Sequence, residues 1–403
     1  MAVDGTPPAI VRPDLRRLVV LPLLAVGLAG CSLGDDEPPP APLGVQAEDE
    51  QAVETLGFPS TATRNTVRVG GGDAAADGAG VAGVLYPATG ESDRPTAVAL
   101  VDDEDWITGI AASVLAGRPL GAPILLGNAE DLPAVTTDAL ERLDPRGSEL
   151  SKDAQVIRLG RELSRPEGFK TAVIEGANPF QRAAAIDRFF SAARGKPSND
   201  VVLYSADDAA WAMPAAAWAA RSGDAVLPVR RDDIPPPIRR AIAEHERPNV
   251  FLLGPERVIS KGVADVLTGQ KLARSVHRVE GPTPVENAIS FARYEKGDFG
   301  WGVVVPGYNF SVASVSRPLD AAAAAALATR GVFAPLLLTD QVGKLPRPLE
   351  EYFLSVQPGY EQDPGQAVYN RAWILGDDKA ISVDQQAQID RTTELIPVQA
   401  NAP

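Results

Sequence analysis

Short apolar runs, three to five residues long and rich in β-branched types, recur along this chain between alanine-rich stretches. Ala97-Val98-Ala99-Leu100-Val101, Val201-Val202-Leu203-Tyr204 and Val303-Val304-Val305 are three of them. Runs this short, without alternation, predict strands buried on both faces. Each is preceded by a helical stretch, at 74–82, 181–193 and 285–294, and followed by another, at 107–116, 213–220 and 321–328. A second strand is predicted at 122–126, 225–227 and 334–338. A third helix then opens beside Pro133, Pro235 and Pro346, because proline suits a first helical turn. Val156-Ile157-Arg158-Leu159-Gly160, Val250-Phe251-Leu252-Leu253-Gly254 and Ala372-Trp373-Ile374-Leu375-Gly376 close the pattern.

The same order of elements therefore occurs three times. A glycine ending a short β-type segment opens each copy, and Gly71, Gly176 and Gly281 stand at a constant interval of 105 residues. Strands alternating with helices imply crossover connections and a parallel sheet covered on both faces. The predicted fold is α/β: three tandem doubly wound, Rossmann-like, three-layer modules, which a pseudo-threefold arrangement would close into a ring. The modules are expected at 67–167, 168–275 and 276–403, the last including a C-terminal tail.

Ahead of them, Arg12, Arg16 and Arg17 precede a twelve-residue apolar run that ends on Leu28-Ala29-Gly30-Cys31. The run is too short to span a membrane and suits a secretory signal at residues 1–30. Small residues followed by the chain's single cysteine resemble a bacterial lipobox, which implies lipid on Cys31 and a membrane anchor. Residues 31–66 hold Pro38-Pro39-Pro40-Ala41-Pro42 and acidic runs, and are expected to form a disordered, extended tether. At about 3 Å per residue it reaches up to roughly 100 Å. The formal charge is −15, and residues 1–30 hold three Arg and two Asp, so the remainder carries −16. That balance argues against nucleic acid as a partner. Arg230-Arg231, Arg239-Arg240 and Arg247 form the one basic concentration.

The repeats resemble the cell wall-binding repeat 2 family, which occurs in tandem threes on surface proteins of Gram-positive bacteria. Arg68, Gly71 and Asp73 match its opening Arg-x-x-Gly-x-Asp, Ala111 to Ala116 and Ala122 to Leu126 its middle, and Ile157 to Gly160 its close. The third copy keeps Arg278, Gly281, Ala334-Pro335 and Ile374-Leu375-Gly376, whereas the second has Val173 where the arginine belongs. The family's aspartate at the start of the middle helix is Thr108 here. The resemblance implies a non-catalytic role with wall polysaccharide as partner, at the outer face of the cytoplasmic membrane or in the cell wall.

Candidate chemistry centres on Asp102-Asp103-Glu104-Asp105-Trp106, after the first strand, because ligands gather at strand carboxyl ends in parallel sheets. Asp102, Asp103 and Asp105 are candidates for binding a divalent cation and Trp106 for stacking on a sugar. Equally, the loop reads as a solvated helix cap. Arg68 and Asp73 are further ligand candidates through the motif. The second repeat echoes the loop with Asp207-Asp208 and Trp211, and the third reads Tyr308-Asn309-Phe310. Gly70-Gly71-Gly72 lacks the lysine of a phosphate loop and reads as a tight turn. His245 and His277 have neither metal-ligand spacing nor a serine–acid partner and read as surface residues. No catalytic residue and no enzymatic cofactor are implied. Beside the wall-binding reading stand a transporter's solute-binding lipoprotein and a wall or phosphate-ester hydrolase.

Overall fold

The computed structural model describes residues 62–330 and 332–398, all within one unit, Leu43–Pro403. The expected signal, the expected lipobox of Leu28, Ala29 and Gly30, Cys31 and most of the expected tether lie outside the described residues. Twelve strands form three four-stranded, all-parallel sheets. In chain order they are β1 (Thr66–Val69), β2 (Val98–Asp102), β3 (Ile124–Gly127), β4 (Val156–Leu159) and β5 (Thr171–Ile174). β6 (Asp200–Ser205), β7 (Ala225–Val229), β8 (Asn249–Leu253) and β9 (Ser275–Val279) follow. β10 (Asn309–Ser314), β11 (Leu336–Thr339) and β12 (Arg371–Leu375) complete the set. Their orders are β3-β2-β4-β5, β7-β6-β8-β9 and β11-β10-β12-β1. Central strands are buried at consecutive positions, as in Val98 to Val101, which requires cover on both faces.

The sheets and the sequence repeats are out of step by one strand. β5, which opens the second repeat, pairs with β4 of the first, Val156 opposite Thr171. β9, which opens the third, pairs with β8. β1, which opens the first, pairs with β12 of the last, from Thr66 opposite Ala372 to Val69 opposite Leu375. Each repeat thus lends its first strand to the sheet before it, and the loan from first to last closes a ring. The opening helices α1 (Ala74–Leu85), α4 (Pro179–Arg194) and α8 (Pro284–Arg293) instead pack on their own repeat's sheet, against β3, β7 and β11.

The alanine-rich middle helices α2 (Trp106–Ala112), α5 (Pro214–Ser222) and α9 (Leu319–Ala324) meet at the centre. Short 3-10 turns, Ser113–Ala116 and Ala325–Ala328, extend α2 and α9. Small side chains let these backbones touch: a Cβ on Gly117 would sit 2.6 Å from the carbonyl oxygen of Ala220. The third helices α3 (Ala134–Leu143), α6 (Pro236–Glu244) and α10 (Arg347–Ser355) start after Pro133, Pro235 and Pro346 as expected. α7 (Lys261–Gly269) and α11 (Val383–Thr393) follow the closing strands of the second and third repeats.

One strand assignment is corrected. Val303-Val304-Val305 is not a strand; Val304 and Val305 are 59% and 53% exposed. A hairpin, Glu295–Lys296 with Phe299–Gly300, is inserted after α8 and pushes the strand along to Asn309–Ser314. Phe299 stacks on Phe251 at 3.4 Å, so the insertion is anchored by burial of its own aromatic ring.

Candidate functional site

The opening motif is built into the frame of the fold. Arg68 is buried, and its guanidinium donates to the carbonyl oxygens of Gly376 (2.7 Å), Asp377 (2.8 Å) and Ile381 (2.6 Å) and to Gln386 Oε1 (3.0 Å). Arg278 repeats the bond to the closing glycine of the sheet it joins, Gly254, at 2.6 Å. Those closing glycines hold left-handed backbone, with φ of 129° at Gly160, 117° at Gly254 and 88° at Gly376, a region that favours glycine. Asp73 caps α1 by accepting from Ala76 N–H at 2.8 Å. Asn178 and Thr283, at the same interval as the glycines, cap α4 and α8 in the same way. Arg68 and Asp73, taken from sequence as ligand candidates, are engaged within the protein.

The acidic loop divides. Asp105 caps α2 by accepting from Thr108 N–H at 2.9 Å, and it meets Arg182 of α4 at 2.6 Å with both side chains nearly buried. Arg182 also reaches Glu162 at 2.9 Å and Thr108 Oγ1 at 3.2 Å. Asp105 therefore joins the first repeat to the second. Asp102 accepts from Glu104 N–H (2.9 Å), and Asp103 accepts from Asn128 Nδ2 (3.3 Å). Glu104 is exposed, and Trp106 is half-buried against the core rather than presented as a free platform. Among the described residues no group of three or more His, Cys, Asp or Glu side chains is placed to hold a metal ion, so Asp102, Asp103 and Asp105 form no cage.

Sequence comparison missed the counterpart of this junction in the third repeat. There Arg317, three residues ahead of Asp320, pairs with Asp77 of α1 at 2.7 Å and with Asp320 at 2.8 Å. Position 77 is occupied by Asp, position 182 by Arg and position 287 by Asn, again at the repeat interval, so the two ion pairs run with opposite polarity. Asp77 and Asp320 are fully buried, and burial together with their mutual repulsion raises the Asp77 carboxyl well above its ordinary range. The third junction is uncharged: Asn287 is buried with both amide atoms unpaired. The misplaced strand hid Arg317, because Tyr308-Asn309-Phe310 runs into β10 from its amino end and the loop beyond the strand is Val315 to Arg317.

In the second repeat, Asp208 caps a short helix, Ala209–Ala212, and Asp207 accepts from Arg231 N–H at 2.8 Å. Arg257 lies over the Trp211 ring at 4.9 Å. His245 is buried, not on the surface as its sequence context implied. Its Nδ1 faces the Ser198 carbonyl oxygen at 2.8 Å and its Nε2 faces the Asp187 carboxylate at 3.0 Å. Both partners present acceptor oxygens, so a doubly protonated ring satisfies both contacts. Burial works against that charge, but the bonds to Asp187 and Ser198 outweigh it and raise the histidine pKa. His277 is half-buried against Phe251, and burial lowers its pKa.

These features define a ring of three doubly wound α/β repeats whose strand carboxyl ends carry hydrogen-bonding loops. The same architecture occurs in two solved structures from Clostridium difficile. Cwp8 matches with a TM-score of 0.61 at 18% identity over 82% of this chain and 52% of its own. Cwp6 matches with a TM-score of 0.61 at 16% identity over 84% of this chain and 49% of its own. The present chain thus spans about half the length of each. No protein-family model and no curated protein sequence matches it.

Proposed function

We propose that this chain is a non-catalytic protein of the cell envelope, anchored by lipid on Cys31 at the outer face of the cytoplasmic membrane, whose ring of repeats binds cell-wall polysaccharide. The observation that carries the reading is the opening frame, Arg68, Gly71 and Asp73 in the first repeat, kept in part as Gly176 with Asn178 and as Arg278 with Gly281 and Thr283, and the closing Leu-Gly of all three repeats, around a ring that shares its fold with Cwp8 and Cwp6. The ligand surface on this reading is the strand carboxyl edge of the first sheet, where Asp102, Asp103 and Glu104 offer acceptors to sugar hydroxyls. A chain of net charge −15 repels polyanions, and with no cage for a bridging ion a neutral glycan suits this edge best. A solute-binding lipoprotein is built as two lobes about one cleft, a different plan from three sheets in a ring. A hydrolase needs a nucleophile with a base, and Asp105 is already paired with Arg182.

Sedimentation of the soluble chain with purified wall tests the proposal. Retention should persist in chelator and fall about tenfold when Asp102 and Asp103 both become Asn, the loss expected for charged hydrogen bonds to ligand. No retention on any wall fraction would remove the binding role. Cys31→Ser should shift the protein from the membrane fraction to the medium or wall.

A further inference from the structure

We propose that the edge of the ring where the chain enters β1 is a membrane-contact surface, docking on anionic phospholipid headgroups beside the anchor. The inference rests on the lipid-anchored reading above but concerns a different part of the protein. Four of the most exposed large apolar side chains among the described residues lie on two neighbouring loops of the third repeat. They are Val304 (59%), Val305 (53%), Val368 (50%) and Tyr369 (56%). The loops are held together: Asn370 Oδ1 accepts from the N–H groups of Gly307 (2.8 Å) and Tyr308 (3.2 Å). Gly307 lies so close to Val368 that a Cβ on it would be 3.2 Å from that side chain.

Both loops lead into strand amino ends, of β10 at Asn309 and β12 at Arg371, and β1 enters beside β12 at the same edge, Thr66 opposite Ala372. The chain from the anchor therefore joins the body next to these apolar tips. Tyr308 continues the patch to Phe333, with ring centres 5.6 Å apart, and Arg221 lies over Phe333 at 4.5 Å. Arg330 lies over Tyr86 at 4.3 Å. Arg221, Arg330 and Arg371 are exposed and make no ion pair among the described residues, although most of the protein's charge is acidic. Asp298, Glu361 and Asp363 share this end of the molecule, so the apolar tips carry the contact and the arginines bias it towards anionic lipid. The opposite edge carries Asp102, Asp103, Asp131, Asp207, Asp340 and Asp378 at strand carboxyl ends. Docking by the arginine edge turns those loops outward, towards the wall.

The test uses the chain from Ser32 onward, which keeps every described element and lacks the lipidated cysteine. It should co-sediment with vesicles of phosphatidylglycerol and phosphatidylcholine, and less with phosphatidylcholine alone. Val304→Ser, Val305→Ser and Tyr369→Ser together should weaken this about tenfold, by removal of apolar surface from the bilayer, with unchanged melting because all three side chains are exposed. Equal sedimentation of parent and variant, or none of either, overturns the inference. So does a dimer in solution that the variant abolishes, which would assign the patch to self-association. Retention on wall by the same proteins reports separately on the proposed function.

Discussion

Asp102 and Asp105 stand three residues apart on one loop, and their surroundings give them different work. Asp105→Ala removes a helix cap and the partner of a nearly buried arginine, and should destabilise by about 2–4 kcal/mol. Asp102→Asn alters a carboxylate that only one loop N–H engages, and should stay within about 0.5 kcal/mol. Urea denaturation of the two variants separates them, and equal midpoints would contradict the assignment. His245 gives a second test through pH. Its pKa in the folded chain lies above the ordinary value of about 6.5, so its contribution is complete below that pH and is lost as pH rises through the raised value. His245→Gln should cost about 2 kcal/mol at pH 6 and flatten the decline in melting temperature above it. A variant whose melting falls with pH as steeply as the parent's would contradict the buried imidazolium. The cap at Asp105 was legible in the sequence, but its partner Arg182 was not, since it lies 77 positions away, and the Asp187 and Ser198 that enclose His245 lie 58 and 47 positions away.

Among elements, the three central helices set the tightest tolerance. A Cβ on Gly117 would meet the Ala220 carbonyl at 2.6 Å, and backbone cannot swing aside. Gly117→Ala should therefore destabilise by about 1–3 kcal/mol. Gly109→Ala is the contrast. Its Cβ would meet the end of the Leu319 side chain at 2.9 Å, which can rotate, and alanine favours the helix by up to about 1 kcal/mol. The two denaturation midpoints should move apart, Gly117→Ala down and Gly109→Ala level or up. The alanine-rich helices, the proline-led helices and the central strands other than β10 were readable because burial leaves a local signature in the sequence, and the half-exposed edge strands β5 and β9 because a glycine follows each at the repeat interval. Two things were not. The inserted hairpin displaced β10, since Val303-Val304-Val305 has the composition of a strand without its partners. The pairing of each opening strand with the preceding sheet was also hidden, because a strand's composition records its burial and not its neighbour.

At the scale of the whole molecule, ring closure by β1 is the feature most open to test. Deleting residues 62–70 leaves β12 as an unpaired edge and strips Arg68 from three carbonyls, and should cost about 3 kcal/mol or more. The body's two ends lie side by side: Asn65 N–H donates to Asp390 at 2.7 Å, and Arg64 pairs with Glu394. Moving residues 62–70 to follow Val398 through a short glycine–serine linker should restore most of that loss, measured by the cooperativity and midpoint of unfolding. A permuted chain no more stable than the deletion would show that β1 acts only from its native end. The same closure decides how the protein answers to tension. Any pull on the chain from its amino-terminal side arrives first at the bonds of Arg64 and Asn65 to the carboxyl end of α11, then loads the four residues of β1 and the buried Arg68 before it reaches any other sheet. These contacts and the grip of β1 on β12 are thus the first links that such a pull loads, ahead of the rest of the ring.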